Sequence, residues 1–301
     1  MPHPATPLAR AVDRYTALHP ASPAGDGSFY ETAVAGLCFV RYRAPRPPEH
    51  VLYGASLCVV VQGSKTAVVG ETVLTYGPGD CLVLALDLPL VAHITEATPA
   101  VPYLALLVAL DAALLVEVAG QAGVRAAAPA SPALGAFVGP LPEAAADALL
   151  RLVRLLETPA AIPALAEPVL RELYYWLLTG PDGPALARAT LPGTAARRVA
   201  GAIRQMKDAF PGPVRVEALA AAAGMSASAF HAHFKAATAL APLQYYKRLR
   251  LLEARRLLAA GAETARDVAF RVGYESPSQF SREYARTFGA PPARDAAALA
   301  A

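Results

Sequence analysis

The sequence predicts a two-domain α+β protein, in which a small N-terminal β-barrel and a helical connector precede an all-helical C-terminal domain. Short β-rich segments separated by turn residues occupy the region between Gly36 and Leu110. Two copies of a helix-turn-helix pattern lie 49 residues apart near the C-terminus. Charge divides at the same place, since the chain has 16 Lys and Arg against 8 Asp and Glu from Thr194 onward, and 11 against 16 before it.

The predicted strands of the N-terminal domain are short, and turn residues at 63–65 and 77–80 separate some of them. Many strands at this spacing are typical of a sandwich or a barrel. We expect strands at residues 37–43, 57–62, 67–69, 73–76, 81–84, 91–95 and 103–108.

No membrane segment is predicted. The longest apolar stretch, residues 101–118, is interrupted by Asp111 and Glu117, whereas a membrane helix needs about 18 unbroken apolar residues. The proline-rich first residues do not form a signal peptide. We therefore expect a cytoplasmic protein with no membrane partner.

Two amphipathic helices are predicted after the strands, over residues 143–157 and 164–178, because their leucines recur at helical spacing. Their apolar stripes pack either on the barrel or on a second subunit, and the sequence leaves both arrangements open. Residues 125–142 are rich in alanine and proline, and we interpret them as a loop or linker. A further helix over residues 195–210 is expected to open the C-terminal domain.

Each C-terminal repeat has the small residue, the glycine and the aromatic pair of a helix-turn-helix unit. The small residue lets two helices approach closely, and the glycine takes the turn without a Cβ penalty. The aromatic pair, four residues apart, buries one face of the second helix. The first copy has Ala220, Gly224, Phe230 and Phe234, and the second has Ala269, Gly273, Phe280 and Tyr284.

A long basic helix is predicted to join the two units, from Pro242 to about residue 260. About 19 residues at roughly 1.5 Å each make a rod near 28 Å, which approaches the roughly 34 Å between successive major grooves on one side of DNA. A single chain of this kind suits adjacent grooves of double-stranded DNA, and its basic surface favours phosphate binding with release of counterions. The alternative is a solvated, mildly basic domain that binds nothing.

The stretch from residue 214 to residue 295 resembles the DNA-binding domain of the AraC/XylS family of bacterial transcription regulators. The resemblance implies that the second helix of each unit enters the major groove, here at residues 226–238 and 277–288. It also implies RNA polymerase as a partner if the protein is an activator. The segments that carry it are residues 219–226, 230–235, 242–258, 272–280 and 288–292.

The candidate DNA contacts face away from the buried aromatic pairs. Arg282 is foremost, since its planar fork binds both acceptors of a guanine edge and the resemblance implies a base- or phosphate-contacting arginine there. The alternative is a surface arginine paired with Glu283 or Glu275. Gln279 suits an adenine edge. The other candidates are Ser228, His231, Ala232, Lys235, Lys247, Arg250, Ser278 and Arg286.

Ala232 stands where members of the family usually carry an arginine, so hydrogen-bonded readout there is expected to fall to His231 and Ser228, or to be lost. For Arg250 the alternative to a DNA contact is a structural salt bridge.

Residues 29–118 look like the cupin-like N-terminal domain of one subgroup of these regulators, through residues 57–65, 76–80, 87–89 and 102–106. The resemblance implies a small β-barrel that serves for effector binding or dimerisation. The interior of such a barrel suits one small molecule. The candidate effector contacts are Tyr53, Gln62, Tyr76 and Tyr103, and the alternative is that each is an ordinary core or rim residue.

Metal-dependent cupins bind their ion through about three histidines and a carboxylate, whereas no histidine lies between His50 and His93. We therefore predict no metal, no cofactor and no catalytic residue, with a catalytic cupin fused to a DNA-binding domain as the competing hypothesis. Cys38, Cys58 and Cys81 are interpreted as buried apolar residues, with a redox or electrophile sensor as the alternative.

We accordingly predict a sensor domain at residues 1–124, a helical connector and dimerisation region at 125–193 and a DNA-binding domain at 194–301. The function expected of this chain is sequence-specific regulation of transcription, controlled by a small-molecule effector or by homodimerisation through the N-terminal domain. A regulator that works through protein contacts alone is the second alternative.

Overall fold

Short apolar runs form the strands of the N-terminal half, and central strands such as Ser56–Gln62 and Tyr103–Ala109 are buried along most of their length. The computed structural model describes residues 6–22, 28–126, 134–261 and 264–299. Within them the strands are β1 (Phe29–Glu31), β2 (Leu37–Tyr42), β3 (Arg46–Tyr53), β4 (Ser56–Gln62), β5 (Ser64–Val69), β6 (Thr72–Tyr76), β7 (Asp80–Leu84), β8 (Leu88–Glu96), β9 (Tyr103–Ala109) and β10 (Ala136–Pro140).

These strands pair antiparallel and form two sheets. The first has the order β1-β2-β9-β4-β7-β10, and the second has the order β3-β8-β5-β6. Apolar side chains from both sheets, among them Val60, Leu90 and Tyr103, share one buried cluster. The sheets do not join into one closed sheet within the described ranges, so the barrel stays a prediction. The broader prediction, a β-rich N-terminal domain followed by a helical C-terminal domain, is confirmed.

The structure has a strand at every predicted position and adds β1, β3 and β10. The interpretation of residues 125–142 as a loop is wrong in part, because β10 pairs with β7, which otherwise would be the edge of its sheet. Residues 127–133 of that segment lie outside the described residues. Strand β3 begins with Arg46 and two prolines, which tolerate only an edge strand, and its register shifts between Arg46 and Glu49.

Five helices cover the outer face of the six-stranded sheet. Phe39, Leu57 and Leu106 of the sheet belong to one cluster with Leu149 and Leu173 of the helices, so the apolar stripes of the connector pack within the chain. The helices are α1 (Pro7–Leu18), α2 (Ala112–Gln121), α3 (Glu143–Leu155), α4 (Ile162–Thr179) and α5 (Gly183–Thr190). The sequence predicts only the third and fourth of these.

Seven helices form the C-terminal domain. Phe230 and Phe234 belong to the buried cluster that also contains Val60 and Leu90 of the sheets, here called the first core, and Phe280 and Tyr284 lie in a separate, smaller second core. Within the described residues the helices are α6 (Ala195–Asp208), α7 (Val216–Ala222), α8 (Ala227–Thr238), α9 (Pro242–Ala259), α10 (Ala265–Arg271), α11 (Pro277–Phe288) and α12 (Pro292–Leu299). The predicted second helices and the joining helix therefore begin and end within one residue of these bounds.

No helix among the described residues combines the length and the apolar character that a membrane crossing requires.

Tyr174 of α4 ties the helical layer to the sheet through its hydroxyl. The ring is fully buried, and the hydroxyl accepts from the Asp111 amide at 2.9 Å and donates to the Ala109 carbonyl at 3.2 Å. Both backbone groups lie where β9 ends and α2 begins.

We predict that Tyr174→Phe lowers the free energy of unfolding by about 1–3 kcal/mol, because it leaves buried backbone groups without a partner. Denaturant unfolding of the full chain measures this loss. The neighbouring Tyr175→Phe is the control, since Tyr175 is 42% exposed and its hydroxyl makes no hydrogen bond with a described residue. Equal losses in the two variants would contradict the assignment.

Candidate nucleic-acid interface

The second helix of the first unit, α8, is predicted to enter the major groove and is called the first reading helix. It starts sharply because the turn before it has a glycine and a capping serine. Gly224 has a φ of +62°, and the Ser226 side chain caps the helix by accepting from the Ala229 amide at 3.2 Å. Phe230 and Phe234 point into the core. The opposite face is exposed, and it carries all four candidates of this helix: Ser228, His231, Ala232 and Lys235.

The second reading helix, α11, repeats this construction. Gly273 has a φ of +85°, and Ser276 caps the helix by accepting from the Gln279 amide at 3.3 Å. Phe280 and Tyr284 are fully buried. The exposed face carries Ser278, Gln279, Arg282 and Arg286.

Arg282 and Arg286 make no ion pair or hydrogen bond with any residue of the described ranges. The alternative of a pair between Arg282 and Glu283 is not observed, because the Glu283 carboxylate is occupied by Lys247 at 3.0 Å. Two guanidinium groups four residues apart therefore project from one side of α11, and they keep all their donors for an external acceptor.

Helix α9 sets the separation of the two reading helices. It has 18 residues, which at roughly 1.5 Å each give a rod of about 27 Å. Tyr245 and Leu249 pack in the first core, and Leu251 and Leu257 pack in the second. The helix is thus shared by both cores, and both units are held on one rigid element.

Arg250 of α9 occupies a cage of backbone carbonyls. Its guanidinium donates to the carbonyls of Pro211 at 3.0 Å and of Gly273 at 3.1 Å, and it lies 4.7 Å from the ring centre of Tyr246. A Cβ on Gly273 would stand 2.4 Å from the Pro211 oxygen. The partners of Arg250 are backbone carbonyls and not a carboxylate, so no salt bridge is observed, and its DNA contact stays a prediction.

Lys247 also has an internal partner. Its ammonium group binds Glu283, which additionally accepts from Gln279 at 3.1 Å and from the Tyr274 hydroxyl at 2.9 Å. Burial opposes the charged form of Glu283, yet the donors from Gln279, Lys247 and Tyr274 outweigh it and hold the pKa of this carboxyl below its ordinary value. A candidate contact on α9 and one on α11 therefore meet at the same carboxylate.

Other basic residues of the C-terminal domain face the N-terminal domain. Lys207 pairs with Asp87 at 2.6 Å, and the Tyr245 hydroxyl donates to the Asp87 carbonyl at 2.8 Å. Arg248 lies 3.1 Å from Nδ1 of His50 on β3. The sequence alone does not show which basic residues of α9 contact the N-terminal domain and which are free to contact DNA. Only the tertiary packing distinguishes the two groups.

The end of α8 also touches the N-terminal domain. The Gly135 amide donates to the Ala237 carbonyl at 2.9 Å, and a Cβ on Gly70 would stand 2.5 Å from that of Ala239. Ala239 itself has a φ of +61°, which is unusual for a residue other than glycine. The first reading helix is therefore seated directly on the sheets.

A cavity of about 360 Å³ lies beside the second sheet. Lys65 is its most unusual wall residue, since it is only 6% exposed and makes no ion pair with a described residue. Its ammonium donates to the Tyr53 hydroxyl at 2.9 Å. The walls are Ser28, Phe29, Val40, Tyr42, Arg46, Pro47, Glu49, Val51, Tyr53, Lys65, Ala92, Ile94 and Leu107.

Of the four candidate effector contacts, Tyr53 lines this cavity. Tyr76 and Tyr103 are fully buried near Cys58, and the Gln62 amide donates to the Pro102 carbonyl at 2.7 Å. Lys65 was not among the candidates. The signal for it is the alternation in β5, where Lys65 shares its buried face with Ala67 and Val69.

Among the described residues, neither the cysteines nor the potential metal-binding side chains form a reactive site. Burial raises the pKa of the Cys38 and Cys81 thiols to about 12, so both stay protonated at neutral pH. Cys58 is buried as well. No group of three or more His, Cys, Asp or Glu side chains in the described part of the chain is arranged to hold a metal ion.

Comparison with known proteins gives two family matches. The AraC-type transcriptional regulator N-terminus matches residues 33–185, and a helix-turn-helix domain matches residues 219–297. The transcriptional activator RhaS of Klebsiella pneumoniae is 35% identical over 83 residues, which are 28% of this chain and 30% of RhaS. RhaS of Escherichia coli is 34% identical over 83 residues, with the same shares of the two chains. The chain thus spans about a third of the length of these curated relatives.

Among solved structures, ToxT from Vibrio cholerae is similar in fold, with a TM-score of 0.58 and 10% identity over 91% of this chain and 100% of ToxT. At this identity the likeness concerns the fold alone, and it covers both domains. The matched families and relatives are transcription regulators and not enzymes. Since the first family match alone covers half of the sequence, the chain belongs to the AraC-type transcriptional regulators.

Proposed function

We propose that this regulator recognises a specific double-stranded DNA sequence by placing α8 and α11 in adjacent major grooves. The observation that carries the proposal is the exposed face of α11, where Arg282 and Arg286 have no partner among the described residues while the aromatic residues opposite are buried. A guanidinium without a partner suits either a guanine edge or a phosphate. On α8, Ala232 offers only apolar contact, so His231 and Ser228 supply the polar readout of that half-site.

Electrostatics supports this assignment. The residues from Thr194 onward have an excess of eight positive charges over negative ones. A surface of this kind releases counterions when it binds phosphates, so its affinity for DNA falls steeply with salt. The candidates that serve phosphates in this proposal are Lys235 and Arg286, and Lys247 serves mainly the link between α9 and α11.

We also propose that a small-molecule effector binds in the cavity beside Lys65 and controls the regulator. A buried ammonium group without a carboxylate partner favours a ligand that brings a negative charge. The apolar walls, such as Val40, Val51 and Ile94, favour a hydrocarbon body on the same ligand. ToxT, which is similar in fold, is described as bound to an unsaturated fatty acid. We propose an organic carboxylate of this general kind, held by Lys65 and Tyr53 within a cupin-like barrel.

Strand β3 is the proposed route from this cavity to the DNA-binding domain. Glu49, Val51 and Tyr53 line the cavity, while Glu49 also lies 3.7 Å from Arg255 of α9. His50, between them, contacts Arg248. A ligand that favours one position of β3 shifts the balance between arrangements of α9, and with it the presentation of both reading helices.

The remaining partners belong to the proposal as well. A homodimer would use the outer surface of α4, where Leu165, Tyr175 and Trp176 are at least one-third exposed. If the protein activates transcription, we expect it to contact RNA polymerase. We also expect it in the cytoplasm, where its chromosomal target lies. The domain bounds at residues 124 and 193 remain predictions.

The first experiment compares Arg282→Ala with Arg250→Ala in the full chain. Arg282→Ala should weaken binding to a selected operator by about 1–3 kcal/mol, relax the preference at one base pair and leave the melting temperature unchanged. Arg250→Ala should lower the melting temperature, because three backbone carbonyls lose a charged donor. Electrophoretic mobility shifts and calorimetry make the two measurements. Equal loss on random DNA would make Arg282 a phosphate contact instead.

The second experiment tests the cavity with oleate as the probe. A ligand that binds the native state raises the melting temperature, so oleate should stabilise the wild-type protein and should stabilise Lys65→Met less. Lys235→Met, on the exposed face of α8, removes the same charge at a residue that does not line the cavity and should respond like the wild type. An equal rise in all three proteins would contradict a role for Lys65.

The third experiment uses pH. Burial, together with Arg248 and Arg255, lowers the pKa of His50 below its ordinary value of 6.5. The unfolded chain therefore takes up this proton first, and stability falls as pH drops through 6.5 toward the lower folded-state pKa. We expect the wild type to lose more stability than His50→Gln between about pH 7 and about pH 5. An equal loss of unfolding free energy in the two proteins over this pH range would contradict the role of His50.

A further inference from the structure

Glu283 is a carboxylate on a reading helix that nevertheless points toward protein groups. Its side chain is 13% exposed, and both oxygens are occupied. One oxygen accepts from Gln279 at 3.1 Å and from Lys247 at 3.0 Å, while the other accepts from the Tyr274 hydroxyl at 2.9 Å. Tyr274 is buried in the turn of the second unit, so the carboxylate is anchored to the turn itself.

The contact with Glu283 fixes the side-chain amide of Gln279. A carboxylate only accepts hydrogen bonds, so it attracts the NH₂ group of the amide and repels its carbonyl oxygen. The amide then has one favoured orientation, although Gln279 itself is exposed. One N–H is used by Glu283, and the carbonyl oxygen and the second N–H remain available at the exposed end.

This remaining pair matches one base edge. Adenine presents a donor, N6–H, and an acceptor, N7, in the major groove, and a glutamine amide satisfies both with its oxygen and one N–H. A freely rotating amide presents its two ends equally often, whereas a fixed one loses less entropy on binding. Pre-orientation therefore raises the preference for adenine over bases with a different pattern.

We propose that Glu283 is a positioning residue that sets the base preference of Gln279 toward adenine at one position of the operator. The inference rests on the proposed function, since it requires α11 to lie in the major groove. Glu283 need not touch DNA. It acts as a fixed acceptor between the Tyr274 anchor and the amide that reads the base.

A purely structural role for Glu283 predicts something different. If the carboxylate served only to join α9 to α11 through Lys247, its loss would weaken binding to every sequence in the same proportion. A positioning role changes the ranking of sequences instead, and the change is confined to the base pair that Gln279 reads. The base preference, measured separately from total affinity, distinguishes the two roles.

The experiment selects duplexes from a pool with a randomised core, using the full-length protein, and then compares the four bases at each position. The variants are Gln279→Ala, Glu283→Gln and the double variant. Glu283→Gln keeps the shape but allows either orientation of the Gln279 amide, because the new amide both donates and accepts. Tyr274→Phe, which removes the anchor and keeps the ring, is a second probe of the same chain of contacts.

Glu275→Gln is the matched control. Glu275 is exposed in the turn before α11 and makes no hydrogen bond or ion pair within the described part of the chain. The substitution removes the same charge near the same surface, so it controls for the effect of charge on non-specific affinity for DNA. It leaves the Gln279 amide untouched, and the base preference should stay that of the wild type.

We expect Gln279→Ala and Glu283→Gln each to reduce the discrimination for adenine at one common position by about tenfold. The double variant should lose no more than Gln279→Ala alone, because both changes act on one contact. Tyr274→Phe should shift the same position in the same direction by a smaller factor.

Three results would overturn the inference while the proposed function stands. In the first, Glu283→Gln keeps the adenine preference that Gln279→Ala loses. In the second, Glu283→Gln weakens all sequences equally. In the third, Gln279→Ala changes no base preference. Failure of the wild-type protein to enrich any sequence would remove the proposed function, and the inference with it.

Discussion

Helix α9 packs into two separate cores, and the arrangement of the molecule depends on this. Its first half contributes Tyr245 and Leu249 to the core shared with the sheets, and its second half contributes Leu251 and Leu257 to the smaller core of the second unit. Its basic side chains have different partners: Arg248 contacts His50 of the N-terminal domain, whereas Arg250 is held by backbone carbonyls. A rod with both cores on its flanks has little freedom to bend.

The N-terminal domain meets this rod along one strand. Strand β3 has the cavity on one side and α9 on the other, so the space available to a ligand and the position of the rod share a wall. The contact is polar and half-buried, with a histidine between arginines, and such a contact has a small net energy. Under the proposed effector control, a modest ligand affinity is enough to bias an interface of this kind.

The parts of the fold that follow from local pattern could be predicted from the sequence, and those that follow from distant packing could not. β-rich runs between turn residues predicted every central strand, and the spacing of glycine and aromatic residues predicted both helix-turn-helix units. Strand β10 lies in a segment whose alanine and proline content indicates a loop, yet it pairs with β7, and the prolines at the start of β3 obscure that strand in the sequence. Helical periodicity predicts which faces of α8 and α11 are exposed. It cannot predict the carbonyls around Arg250, which come from segments 23 to 39 residues away.

The carbonyl cage of Arg250 has a consequence for the layout of target promoters. Through this one guanidinium, the loop at Pro211 beside the first unit and the turn at Gly273 in the second are bound to the same rod, so the units are locked in mutual orientation. Adding one base pair between two half-sites rotates one against the other by roughly 34° and shifts it by about 3.4 Å. A locked pair has no hinge with which to follow that rotation. If α8 and α11 occupy adjacent grooves as proposed, the spacing of the operator halves is as much a part of the recognised signal as their bases.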